Sequence, residues 1–260
     1  MLYRSSYTST SWKARSEMSS DTPFTRENLD YYLKELAKEF RRLGGKKMPA
    51  EVILIGGASI LVNYGFRDMT YDMDAIISAS SAIKDAINHV SDRYRLPNGW
   101  LNTDFVRTES YTPKLIEFSV YYKTFYGVLT VRTVTAEYLI AMKIKSGRRY
   151  KNDLSDIVGI ISEHNAKGKP LTYTQIDKAV CDLYGSWDGI APELRQFVVS
   201  VLEQPQNSTL YAQYRESETH SKDILLEFER EYPNVANEDN INTILEKAKR
   251  KKQSKDEPER

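Results

Sequence analysis

Apolar positions in the first half of the chain switch between helical and strand spacing. Leu29, Tyr32, Leu33, Leu36 and Phe40 fall three and four residues apart, which predicts a helix capped by Thr25 and running to about Leu43, where Gly44-Gly45 ends it. Residues 52–55 form a short unbroken apolar run closed by Gly56-Gly57, the pattern of a buried strand turning sharply into a short helix at 58–64. Residues 72–77 alternate polar and apolar, as a strand with one covered face does. A helix is predicted over 80–90, a turn at Pro97-Asn98-Gly99, and an antiparallel strand pair over 115–122 and 127–134.

From Thr135 the period becomes helical and stays so, over 136–146, 153–164, 174–184 and 193–202, followed by a polar helical stretch at 210–232. The fold class is therefore α/β (α+β): a small mixed α/β half at about 50–134, followed by an all-helical C-terminal half. Residues 1–23 read as a disordered tail, 24–134 as the α/β core, 135–204 as the helical half that completes the site, and 205–260 as a helical extension with a charged, solvated tail. The first 23 residues are rich in Ser and Thr and acid-free until Glu17, but show no amphipathic Arg-bearing helix. They are read as a tail or as an over-long start, with translation beginning at Met18.

Composition narrows the functional classes. No apolar run reaches the ~18–20 residues that span a bilayer. The single cysteine, Cys181, excludes an intramolecular disulfide and a cysteine-based zinc site, and His89, His164 and His220 are scattered. The expectation is a reducing, cytoplasmic location with no membrane partner. Lys+Arg (37) and Asp+Glu (36) nearly cancel to +1, so attraction to a polyanion must come from local patches, and two are visible, at 143–151 and 247–252.

Strand periodicity puts Asp72 and Asp74 on one side of their strand, with Met73, Ala75 and Ile77 on the other. Two ionised carboxylates this close repel, and a divalent cation such as Mg²⁺, completed by substrate phosphates, removes that cost. Two solvated acids on an exposed edge would give the same pattern. Gly56 and Gly57, between strand and helix, leave room for a phosphate to approach backbone N–H groups, although a plain tight turn also uses such a pair. Lys143 lies in the apolar stripe of Leu139, Ile140 and Ile144, where an ammonium must either reach an anion or extend to the surface. Asp153, opening the next helix, can cap it, orient Lys143 or act as a base.

These residues resemble a family. Gly56-Gly57, Arg67, Thr70 and Asp72-Met73-Asp74, with the later block 136–143, Arg148-Arg149 and Asn152 to Ile157, are similar to nucleotidyltransferases of the abortive-infection AbiEii toxin type, over roughly residues 54–161. The resemblance implies a nucleotidyltransferase fold, with a small mixed β-sheet and flanking helices carrying the acids and a helical C-terminal half over the nucleotide, and Mg²⁺-dependent transfer of a nucleotidyl group from an NTP to RNA (tRNA) or protein, with a cognate antitoxin as partner. It makes Asp72 and Asp74 metal ligands, Lys143 a phosphate contact and Asp153 the acid of the later block. Gly56, Gly57, Ser59, Arg67, Thr70 and Arg148 would serve the nucleotide. The family's K-D is Asn152-Asp153 here, and its third carboxylate is Asp104 or Glu117, with Asp104 preferred as a metal ligand. The alternatives are a degenerate, non-catalytic binding module and a small-molecule (antibiotic) nucleotidyltransferase.

Overall fold

The computed structural model describes residues 23–204, 208–237 and 240–256, with 208 and 250–256 as backbone only. The expected tail at 1–23 lies outside these residues except for Pro23. Helix α1 (Arg26–Phe40) begins at the predicted Thr25 cap, whose side chain and that of Asn28 close a reciprocal capping box, and runs into a wider turn at Arg41–Gly45. Strand β1 (Ala50–Leu54) leads into α2 (Gly56–Asn63), and β2 (Met73–Ser78) leads into α3 (Ala82–Tyr94). A two-residue β3 (Leu101–Asn102), two 3₁₀ turns (Asp104–Arg107 and Pro113–Ile116), and the hairpin β4 (Ser119–Phe125) and β5 (Leu129–Val134) complete the α/β half. Helices α4 (Ala136–Ser146), α5 (Asp153–Ala166), α6 (Tyr173–Tyr184), α7 (Pro192–Glu203), α8 (Ser208–Glu231) and α9 (Ile241–Asp256) follow.

The five strands lie in the order β3-β2-β1-β5-β4. Strand β1 pairs antiparallel with β2 and parallel with β5, so the sheet is mixed as expected. Alternation along the strands divides the core. Val52, Leu54, Met73, Ala75, Leu129 and Val131 face α1 and α3, whereas Ile53, Ile55, Ile76 and Val134 face α4 to α7.

Two expectations are corrected. The segment 115–122 does not start as a strand: Pro113, which lacks an N–H, opens a 3₁₀ turn, and pairing begins at Ser119. The charged tail is helical through Asp256, because Ile241 and Leu245 bury against Ile224 and Leu225 of α8 and Tyr150.

Candidate functional site

The antiparallel pairing of β1 with β2 sets the geometry. Leu54 stands opposite Ala75, and the Ile55 N–H donates to the Asp74 carbonyl at 2.9 Å. The turn that starts α2 therefore lies beside the start of β2, where Asp72 and Asp74 sit half-buried on the face turned toward the helical half. Gly56 has φ +55°, a conformation costly for any other residue, and the space where a Cβ would stand is open. Gly57 is a glycine for a different reason. A Cβ there would come within 2.6 Å of the Thr70 hydroxyl and 2.9 Å of the Arg67 guanidinium.

Facing this turn is a buried ionic network. Arg67 donates to both carboxylate oxygens of Asp156, at 3.1 and 2.8 Å. Lys143 spans Asp156 and Asp153, at 2.8 Å from each. Arg148 closes the chain, its Nε 2.9 Å from Asp153. Three cations thus share two acids, and both acids are almost fully buried. Burial pulls the Lys143 ammonium down, but the Asp153 and Asp156 carboxylates outweigh it and hold its pKa above the ordinary lysine value. For Asp153, burial pushes upward and is overcome by Arg148 and Lys143, which keep it well below the usual carboxylate range. Arg148 is likewise raised: burial works against its charge, Asp153 outweighs burial, and Asp74 adds to the effect. Arg148 thus feels the Asp74 carboxylate, and at 28% side-chain exposure it is more open than Lys143 or Arg67.

Several expected roles change with this placement. The Ser59 hydroxyl is fully buried, bonded to the Thr133 hydroxyl and accepting from the Val134 N–H at 3.3 Å. It ties α2 to β5 and presents nothing to a phosphate. Thr70 is 2% exposed and donates to the Asp72 carbonyl at 3.2 Å, shaping the turn from within. Arg67, Lys143 and Asp153 are engaged with one another's partners, so Lys143 is a clamped bridge with little surface left for a ligand, and Asp153, with no exposed surface, orients Lys143 and Arg148 and cannot reach a substrate proton. Asp104 is exposed at the start of a 3₁₀ turn beyond β3. Among the described residues, no group of three or more His, Cys, Asp or Glu forms a metal-binding cluster, so Asp104 does not join Asp72 and Asp74 in one. Glu117 is exposed just ahead of β4, at the opposite edge of the sheet from β2.

Asp156, inside the block 152–157 but given no role there, lies three residues after Asp153, a spacing that places both acids on one helix face, so the sequence did carry a signal. Glu218 gave none. It reaches from α8 to the start of α5, where it accepts from the Leu154 N–H at 2.7 Å and also bonds Ser155, filling the role of a cap from a distant helix. Burial, with a smaller push from Asp153 and Asp156, raises its pKa to about 7 although Ser155 and Leu154 pull the other way.

The profile of a family described as nucleotidyltransferase of unknown function (DUF6036) matches residues 31–163, just over half of the chain. The match runs from α1 into α5 and takes in the glycine turn, the β2 carboxylates and the ionic network. No curated protein and no solved structure gives a significant match. Among the described residues, no helix is long and apolar enough to cross a membrane.

Proposed function

We propose, from the premise that the chain belongs to the DUF6036 family of nucleotidyltransferases, that it moves a nucleotidyl group from an NTP to an acceptor hydroxyl on RNA or protein, with Mg²⁺ as its metal. The observation that carries this reading is the placement of Asp72 and Asp74 beside the open backbone at Gly56, through the β1–β2 pairing.

The donor set fits the metal. Two carboxylates on one face of a strand match Mg²⁺, which takes one or two such ligands and fills its octahedron with phosphate and water oxygens. When bound, the ion supplies Lewis acidity and charge neutralisation at the phosphates. The first-turn N–H groups of α2 lack intrahelical acceptors and would hold phosphate oxygens. Arg148, pre-oriented by Asp153, would offset charge as the acceptor oxygen bonds to the α-phosphorus and the bond to pyrophosphate breaks. Lys143, Asp153, Asp156 and Arg67 hold Arg148 and the Gly57 turn in register. The resemblance of its motif order to that of the AbiEii type extends the proposal to a cytoplasmic toxin restrained by a cognate antitoxin.

A second reading, a nucleotide- or partner-binding module without turnover, is favoured by one observation, the lack of a three-carboxylate cluster among the described residues. Incubating the protein with each labelled NTP, Mg²⁺ and total tRNA, alongside Asp74→Asn, separates the two. Mg²⁺-dependent label in RNA or protein, absent with Asp74→Asn, is expected. NTP binding without any transfer would sink the enzymatic reading and leave the binding module.

A further inference from the structure

The start of α5 is not capped from its own sequence. Asn152 stands at the N-cap position, a residue suited to it, yet its side chain makes no capping hydrogen bond. The N–H groups that an N-cap side chain ordinarily takes, those of Leu154 and Ser155, donate instead to Oε1 of Glu218 on α8, at 2.7 and 3.4 Å. The Ser155 hydroxyl donates to Oε2, so both oxygens of the carboxylate are used. Glu218 is 2% exposed and Ser155 is fully buried, which leaves little water to stand in for the carboxylate. Two helical turns earlier on the same face of α8, Tyr211 donates to the Phe66 carbonyl at 3.3 Å, while Tyr214 packs edge-on against Phe197 of α7.

What Glu218 fixes is the backbone that carries Asp153. Asp153 is the first residue of α5 and accepts from Arg148 three times, from its main-chain N–H at 3.3 Å, from Nε at 2.9 Å and from Nη2 at 3.2 Å. The main chain and the guanidinium of Arg148 are thus both referred to one carboxylate. That carboxylate is anchored from two sides. Lys143 of α4 holds its head at 2.8 Å, and Glu218 holds the turn on which it stands. First turns of helices fray when their N–H groups lack acceptors, and fraying here would carry Asp153 and Arg148 away together.

We propose that Glu218 is a positioning residue: by capping α5 from α8 it fixes Arg148, through Asp153, at the rim of the candidate site. The site then draws on α8, which lies outside the family match at 31–163. The benefit to transfer rests on the reading above; the fixing of Arg148 does not.

The test observes Arg148 directly, by NMR of the isotope-labelled full chain. Its Nε–H resonance, identified by its loss in Arg148→Gln, is expected to exchange slowly with water. Glu218→Ala should speed that exchange about tenfold or more, and Glu218→Gln, which keeps an accepting oxygen, should restore it. Ser155→Ala, a milder change to the fold, should act in the same direction. Phe197→Ala, which loosens α8 from the side of α7, should leave the exchange slow. Calorimetry of tripolyphosphate with Mg²⁺, a probe that needs no choice of base, then closes a double-mutant cycle. Glu218→Ala is expected to weaken binding about tenfold in the wild type and less than about twofold in Arg148→Gln. Unchanged exchange in both Glu218→Ala and Ser155→Ala would overturn the proposal. So would an equal change in Phe197→Ala, or the same loss of affinity with and without Arg148. A chain that passes the exchange test yet binds no tripolyphosphate would sink the transfer reading and uphold the fixing of Arg148.

Discussion

On either side of the sheet a buried acid is held by several basic side chains, but the two clusters are built differently. On the α1–α3 side, Glu39 is met by Arg42, His89 and Arg93, all with substantially exposed side chains. Arg42 is the largest of the influences that hold Glu39 down at about 2. On the α4–α5 side, Asp153 and Asp156 are shared by Lys143 and Arg67, themselves nearly buried, and by Arg148. The first cluster joins two helices near the surface, where water and salt weaken each pair. The second is mostly buried, so solvent screens it less and the loss of one member strands charges with little water to take them. A fixed array of charges is what a phosphate site needs, because donors already aimed require no reorganisation when charge develops. The contrast fits one cluster as a helix tie and the other as the scaffold of the proposed phosphate site.

The largest effect should come from Lys143→Met. It leaves Asp153 and Asp156 short of their shared cation and should cost about 3–5 kcal/mol in chemical denaturation. A loss of under about 1 kcal/mol would show that the network is wetter than its burial implies. Gly57→Ala comes next, because the added carbon would press on Thr70 and Arg67. A destabilisation of about 1–3 kcal/mol is expected, together with weaker NTP binding measured by calorimetry.

Glu218→Ala should cost about 1–3 kcal/mol by leaving the α5 N–H groups without an acceptor. The same residue gives the buried side a pH signature. Its folded pKa, about 7, lies above its ordinary value of 4.5. The fold therefore holds this proton more tightly, and the associated stabilisation, full below about 4.5, is lost as pH rises through about 7. Glu218→Gln, neutral throughout, should remove that slope from a series of melting temperatures.

Glu39→Gln should have the smallest effect, and one that shrinks further in 1 M salt. Its sign is opposite. With the folded value lowered to about 2, stabilisation is present above the ordinary 4.5 and disappears as pH falls through 2. Equal salt sensitivity in Lys143→Met and Glu39→Gln would erase the distinction between the clusters.

Much of the fold was legible because it rests on short-range sterics. The Thr25 cap, the sharp turn at Gly56 and the alternation of Asp72 and Asp74 against Met73 and Ala75 all follow from periods of two and 3.6 residues. The hydroxyls misled for a physical reason. Ser59 and Thr70 sit beside a glycine turn, where a group facing a ligand and a group facing the core have the same local sequence. For Ser59 it is Thr133, 74 residues away, that decides. The charged tail misled similarly, since its few apolar residues gain meaning only against α8 and Tyr150.

By itself, the sequence determined the strands and helices of the first half, the helical second half and the carboxylate pair at the start of one strand, because backbone geometry imposes those periods locally. Tertiary structure alone decided which charges are paired. Arg67 finds Asp156 across 89 residues, and Glu218 finds the α5 start across 64. Burial then sets what those charges do, since the cost of an unpaired ion depends on the water that remains around it once distant segments have packed.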